Sequence, residues 1–336
     1  KYAEGGRALG RTRGPSAMDD TGRLDAKVEL ERWVDRVRGG DPLSCAVVHP
    51  CDERSLQGTL DAADAGLIDP VIVAPRHRIE AVAARLGRTL EGRTLVESEH
   101  SHASAARAVA LAAARQVGLL MKGSLHTDEL MEAVLAEPAL RTGRRMSHVF
   151  RLFVPACPRP LLLTDAAINI APDLSAKADI VRNAIDLAHA LGLALPRVAL
   201  LSAVETVTPR IPSTLDAAAL CKMADRGQIE GALLDGPLAF DNAISAEAAA
   251  IKGIESPVAG HADILVAPDM ESANMLAKQL EYLAEASSCG VVLGAQVPIA
   301  LTSRADPVSA RVASAALAVV FRRWRDAQTT PVAPPG

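Results

Sequence analysis

Short apolar runs alternate with longer amphipathic stretches along most of the chain. CAVVHP (45–50), PVIVAP (70–75), TLVES (94–98), GLLMKG (118–123), LLLTD (161–165), RVALLSA (197–203), GALLDG (231–236), ADILVAPD (262–269) and GVVLGA (290–295) are brief and rich in Val, Leu and Ile, as buried strands are. Between them lie stretches with helical spacing of apolar positions, such as 53–67, 78–87, 102–116, 127–136, 175–192, 214–227, 242–253 and 271–284. Asp25 to Val37 reads as a further amphipathic helix, with Leu30, Trp33 and Val34 on one face. Strands separated by crossover helices predict an α/β fold whose mostly parallel sheets are covered on both faces. The rhythm breaks at 137–160, where Arg141, Arg144, Arg145 and Arg151 cluster among Pro and Gly, predicting a long hairpin or an interdomain crossing. Two runs split by such a crossing predict two α/β/α domains flanking a cleft: residues 21–150 with 297–336, and residues 151–296. Residues 1–20, rich in Gly and Arg and without periodicity, read as a disordered leader or tag.

Composition narrows the function classes. The 336 residues are 49% hydrophobic but only 2% aromatic, so the core must be built from Ala, Val, Leu and Ile. So few aromatic rings weigh against base stacking, and a net charge of −4 weighs against nucleic acid as the main partner. No apolar run is long enough to span a membrane. The five cysteines (Cys45, Cys51, Cys157, Cys221, Cys289) are widely spaced and lack a CxxC pair, which fits reduced thiols in a cytoplasm. Cys221 and Cys289 read as buried small apolar residues. No metal-ligand spacing, P-loop, GxGxxG or GxSxG is present.

In an open α/β sheet, ligands bind where strand ends meet the crevice. The polar residues just after the predicted strands are His49 and Asp52; Lys122, Ser124, His126 and Thr127; Asp165, Asn169 and Asp173; Glu205 and Thr206; Asp235; Asp269; and Thr302, Ser303, Arg304 and Asp306. Lys122-Gly123, between a strand end and a helix start, offers either an anion contact or an ordinary turn. Thr127 is a candidate N-cap for the helix that follows. Arg144 and its neighbours offer either a grip on nucleotide phosphates or a solvated hairpin. Asp235 is a capping residue or a site wall. In TSRADP, Asp306 before Pro307 predicts the N-terminus of the last helix, 307–327, with Asp306 as its cap. Thr302, Ser303 and Arg304 then lie at the positive end of that helix, a setting that suits a phosphate-like anion.

That stretch, with LLMKGSLHTDELMEAVL (119–135), LLLTDAAINIAPDL (161–174), LLDGPLAFDNAIS (233–245) and ADILVAPDMESANMLAKQL (262–280), resembles the phosphate acetyltransferase and phosphate butyryltransferase family. The resemblance runs from about residue 25 to about 325, with five motifs in the same order. It implies the isocitrate/isopropylmalate dehydrogenase-like fold, a homodimer, and reversible acyl transfer between coenzyme A and inorganic phosphate. Coenzyme A is then a substrate, acyl phosphate the other product, and no tightly bound cofactor is needed. By resemblance, Ser303 would hydrogen-bond the reacting carbonyl or thiol and Arg304 would bind the phosphoryl group. One departure stands out: where acetyltransferase members carry an Asp seven residues after that Ser, this chain has Ala310. Asp306 is the carboxylate available to replace a missing base, or it simply caps the helix. Two other readings stay open: a non-catalytic coenzyme A-binding homologue, and a metal- and NAD-dependent decarboxylating dehydrogenase drawing on Asp235 and Asp241.

Overall fold

The computed structural model describes Arg23 and residues 25–329. The expected leader, 1–20, and the Pro-rich tail VAPPG lie outside the described residues. In chain order the strands are β1 (Leu43–Val48), β2 (Ile68–Ala74), β3 (Thr94–Glu97), β4 (Leu119–Lys122), β5 (Ser147–Phe153), β6 (Leu161–Thr164), β7 (Arg197–Leu201), β8 (Leu233–Leu238), β9 (Ile264–Val266), β10 (Ser287–Leu293) and β11 (Ile299–Ala300). The helices are α1 (Ala26–Val37), α2 (Glu53–Asp64), α3 (Arg76–Leu86), α4 (Ser101–Ala113), α5 (Thr127–Ala136), α6 (Leu174–Ala190), α7 (Pro212–Asp225), α8 (Phe240–Ile244), α9 (Ala246–Ile251), α10 (Met270–Leu283) and α11 (Val308–Thr329).

Among the described residues, all eleven strands join one sheet, in the order β3-β2-β1-β4-β11-β10-β5-β6-β9-β7-β8. Pairing is parallel within β3-β2-β1-β4-β11 and within β6-β9-β7-β8, and antiparallel at β11-β10, β10-β5 and β5-β6. The mixed α/β class with a mostly parallel sheet is as expected. The stretch expected as a hairpin or crossing is both: it holds a central strand, β5, which pairs antiparallel with the following strand β6 and lies between the two parallel blocks. SHVFRLF alternates its faces: Val149 and Phe153 pack on one side, Phe150 and Leu152 on the other. Arg151 remains in the strand because its guanidinium stacks on Trp33 of α1, 4.4 Å from the ring centroid. The expected boundary at 150/151 therefore falls inside β5. The single helix expected over 242–253 is two short ones, α8 and α9, because Ser245 breaks the run and caps α9 through Ala248 N–H at 3.2 Å.

Helices cover both faces, as the period-two alternation of the strands requires. Cys45 and Val47 of β1 and Val291 of β10 face a cluster with α1, α6 and α11. Ala46, Val48, Val292 and Ile299 face the opposite side, under α4 and α5. On that same side Phe150, Leu163 and Leu265 pack under α8, α9 and α10. Two helix groups thus share one face and leave the central strands between them. No described helix is long and apolar enough to cross a membrane.

β1 and β4 are drawn together at their carboxyl ends by Gly123. Its N–H donates to Val48 O at 2.9 Å, and a Cβ added there would lie 2.3 Å from that oxygen and 2.6 Å from His49 O. Both clashes are with backbone, so no rotamer change relieves them. Gly123→Ala is expected to destabilise the fold by about 3 kcal/mol, read as a lower denaturant midpoint with an unchanged slope.

Candidate active site

Between the two helix groups lies a cleft of about 380 Å³. Its wall draws on the end of β4, the β4–α5 loop and the start of α5 (Lys122, Leu125, His126, Thr127, Asp128), on β5 (His148, Phe150), on the β6–α6 loop (Ala166, Ala167), on α10 (Met270, Asn274, Lys278) and on the segment 301–304. The site is thus assembled from both parallel blocks of the sheet.

The segment 302–306 is held by its carbonyls. Lys122 Nζ donates to Thr302 O at 3.3 Å, Arg311 Nη2 to Ser303 O at 3.1 Å, and Arg54 Nη1 to Ala305 O at 3.0 Å. Arg311 Nη1 also donates to Thr302 Oγ1 at 3.0 Å. With those oxygens turned to the buried Lys122 and Arg311 and to the exposed Arg54, the Ser303 and Arg304 side chains remain exposed to the cleft. Arg311 itself is fully buried. Gly58 of α2 makes room for it, since a Cβ there would lie 2.8 Å from Arg311 Cβ.

Asp306 does something other than the helix capping expected of it. Its Oδ2 accepts the Ser303 N–H at 2.8 Å, turning the carboxylate back across the tight turn instead of forward into α11. Its Oδ1 lies 3.9 Å from Lys278 Nζ, which is held at 2.6 Å from Glu281. Burial raises the Asp306 pKa, opposed by the Ser303 N–H and the Lys278 charge. For Lys278 the hydrogen bond and charge of Glu281, with the charge of Asp306, outweigh burial and raise its pKa. Lys122 is pulled down to about 8 by burial first, then by Arg311 and Arg304, with Asp306 and Asp52 opposing. Lys122, Arg304 and Arg311 therefore lie close enough to feel one another, with Asp52 and Asp306 as partial counter-charges: the floor of the cleft is electropositive.

The other sequence-selected residues are distributed unevenly. Lys122, His126, Thr127, Thr302, Ser303 and Arg304 come together on the cleft wall. Ser124 serves the frame: its Oγ donates to His49 O at 2.7 Å and accepts Cys51 N–H at 3.1 Å, pinning the β1–α2 loop to the β4–α5 loop. The N-cap of α5 is His126 and not Thr127; Thr127 is the first helical residue. Asn169 is buried behind the site and donates to Asp165 Oδ2 at 2.6 Å and to Met146 O at 2.8 Å. Asp165 also accepts the N–H groups of His148, Ala167 and Ile168, each at 3.1 Å, and so shapes the β6–α6 loop. Asp52, Asp173 and Asp269 cap α2, α6 and α10. Glu205 is taken up by Asn242 and Lys252. Thr206 is exposed and Asp235, on the outer strand β8, accepts its neighbour's N–H; neither is on the cleft wall. Arg144 is paired with Asp186 of α6, away from the cleft.

Arg311, His148 and Lys278 were not among the sequence candidates. Arg311 had a legible signal: it lies in register with Ser314, Ala315 and Ala318 on the buried face of α11, where a charge needs a buried partner. Nothing local distinguishes His148 or Lys278. The five cysteines are free. Cys289 is buried and its thiol pushed up to about 12 by burial; Cys221 is only half-buried, against expectation, because α7 lies over the outer strand β8.

The family described as phosphate acetyl/butaryl transferase matches residues 101–319. The chain is 59% identical to a phosphate acetyltransferase of Rhizobium meliloti over 90% of its own length and 97% of the relative's. It is 40% identical to a phosphate butyryltransferase of Clostridium acetobutylicum, over 85% of this chain and 95% of that one. Among solved structures, a branched-chain phosphotransacylase from Enterococcus faecalis superposes with a TM-score of 0.74 at 31% identity, covering 83% of this chain and 99% of that chain. The match spans the loops that build the electropositive cleft, and on these grounds the chain belongs to the phosphate acetyltransferase and phosphate butyryltransferase family.

Proposed function

We propose that the chain is a phosphate acyltransferase, moving a short acyl group reversibly between coenzyme A and inorganic phosphate in a ternary complex. The observation that carries this reading is the turn 302–306. Cations hold its carbonyls from behind, so Ser303 and Arg304 face an open cleft over an electropositive floor. An acyl phosphate would set its phosphoryl group against Arg304 and Lys122, which supply charge-assisted donors. The coenzyme A thiolate attacks the carbonyl carbon, a C–S bond forms, the C–O bond to phosphorus breaks, and phosphate leaves with the electron pair. Ser303 donates to the reacting centre as charge builds there. Holding both substrates in one cleft supplies a large share of the acceleration.

In this reading Asp306 is a positioning residue: through the Ser303 N–H it fixes the turn that carries Ser303 and Arg304. Within the described residues, the two flanking lobes of this reading are 25–150 with 297–329 and 151–296. Coenzyme A, inorganic phosphate and acyl phosphate are the partners, and no tightly bound cofactor is required. Homodimeric assembly and a cytoplasmic setting complete the proposal and rest on the family resemblance.

Thioester formation from acetyl, propionyl and butyryl phosphates with coenzyme A tests the reading, and absence of turnover with every chain length would refute it. Arg304→Ala is expected to lower kcat/KM by about 10²–10³-fold. Asp306→Asn retains an acceptor for the Ser303 N–H, so it is expected to keep kcat within about tenfold and an unchanged pH profile; loss of one limb of that profile would make Asp306 the proton acceptor. Anion binding favours the charged form of Lys122, which is lost as pH rises through about 8. Calorimetry with inorganic phosphate should therefore show affinity falling by up to about tenfold per pH unit above that point, and Lys122→Met should flatten the dependence.

A further inference from the structure

Among the described residues, His148 is the buried side chain of the cleft wall whose polar atoms are left without good hydrogen bonds. Its backbone is tied on both sides: the N–H donates to Asp165 Oδ1 at 3.1 Å, and the carbonyl accepts Thr164 Oγ1 at 2.8 Å. Its ring meets Phe150 edge-on, with centroids 4.4 Å apart and an interplanar angle of 80°. The side chain is fully buried, and among the described residues neither ring nitrogen has a partner in good hydrogen-bond geometry, the Leu301 carbonyl lying close by without one. A buried polar atom left in this state is destabilising, a penalty that an apolar ring of similar shape would not incur.

The surrounding chain makes room for this ring. Gly290 lies on the same face of the sheet, paired with Phe150 in the β10–β5 ladder and accepting the Leu301 N–H from the far side. A Cβ at Gly290 would lie 2.4 Å from His148 Nε2 and 2.8 Å from Cε1. The imidazole therefore leans over β10 toward Leu301. Burial, with the Lys278 charge adding to it and the nearby Leu301 carbonyl opposing, holds the ring neutral with a pKa of about 3. At neutral pH it offers one N–H donor and one acceptor and no charge.

The cleft is graded across the sheet. Lys122 and Arg304 stand toward the β4 and β11 side, while Phe150, Ala166 and Ala167 stand toward β5 and β6. An acyl phosphate has the same order of parts: an anionic phosphoryl group, a neutral carbonyl, an apolar chain. We propose that His148 supplies the hydrogen bond to the acyl carbonyl oxygen, its ring seated for that purpose over the missing side chain of Gly290. This assignment rests on the acyltransferase reading above. The donor meets a neutral oxygen in the substrate and a charged one as the thiolate adds, so it contributes more to the transition state than to binding.

His148→Phe and His148→Asn test it against wild type with acetyl phosphate and coenzyme A. Phe removes the donor and both unpaired nitrogens. It is expected to melt at or above the wild-type temperature while kcat falls about 10²-fold and KM changes little. Asn restores a donor and is expected to recover at least a tenth of wild-type kcat. A folded Phe variant with kcat within threefold of wild type would overturn the proposal, as would an Asn variant no better than Phe. A measurement on the unmodified chain covers the case in which Phe does not fold. Ring ¹⁵N signals of His148, identified by their loss in His148→Asn, should shift when acetyl phosphate saturates the protein without coenzyme A; saturation without a shift would equally overturn the proposal. Wild type that turns over no acyl phosphate would instead strike the acyltransferase reading itself.

Discussion

A guanidinium with no access to water governs the geometry of the site. Arg311 holds Thr302 and Ser303 from beneath, and α2 opens a space for it at Gly58. Burying a charge is costly unless neighbours satisfy it. Here the groups that meet it are the Thr302 hydroxyl and the Ser303 carbonyl of the very turn that displays Ser303 and Arg304, with Asp52 and Asp306 as nearby counter-charges. Stability and site geometry are thereby coupled: the turn cannot relax without leaving the guanidinium unpaired. Lys122 and Arg54 apply the same constraint from two other elements.

The sheet supplies the second half of the design. Two parallel blocks meet through the antiparallel pairs of β5 and β10, and helices of both blocks lie on one face with a gap between them. The gap is the cleft. Its floor is the middle of a continuous sheet, hence rigid, while its walls are loops and helix ends that carry varied chemistry. Rigid support beneath adaptable loops is a common basis for precise positioning.

The sequence reveals these layers unequally. Strands bounded by Gly and Pro, such as 70–75 and 118–123, are legible because each is short, apolar and followed by a stretch of helical periodicity. β5 was obscured by Arg151, whose place in a strand depends on Trp33 more than a hundred positions away. Lys122, Ser303 and Arg304 were found by their position after strands, a local property. Asp306 was misassigned because an Asp before Pro reads as a cap, whereas its actual partner, Ser303 N–H, depends on the path of the turn. Arg144 looked like a phosphate ligand from its cluster of like charges, and only the packing of α6 reveals Asp186 beside it. His148 has no local signature at all; its seat exists because Gly290, 142 positions later, has no side chain.

The position of β11 has a consequence for how the molecule comes into being. β11 and α11 follow every other described strand and helix in the chain, yet β11 lies in the middle of the sheet, between β4 and β10. The Lys122–Thr302 contact closes a span of 180 residues. During synthesis β1 to β4 can associate early, but β4 then presents an unpaired edge until Ile299 and Ala300 emerge. The nascent protein thus carries an open strand edge while β5 to β10 are made, and it acquires a formed cleft and a closed sheet in the same late step.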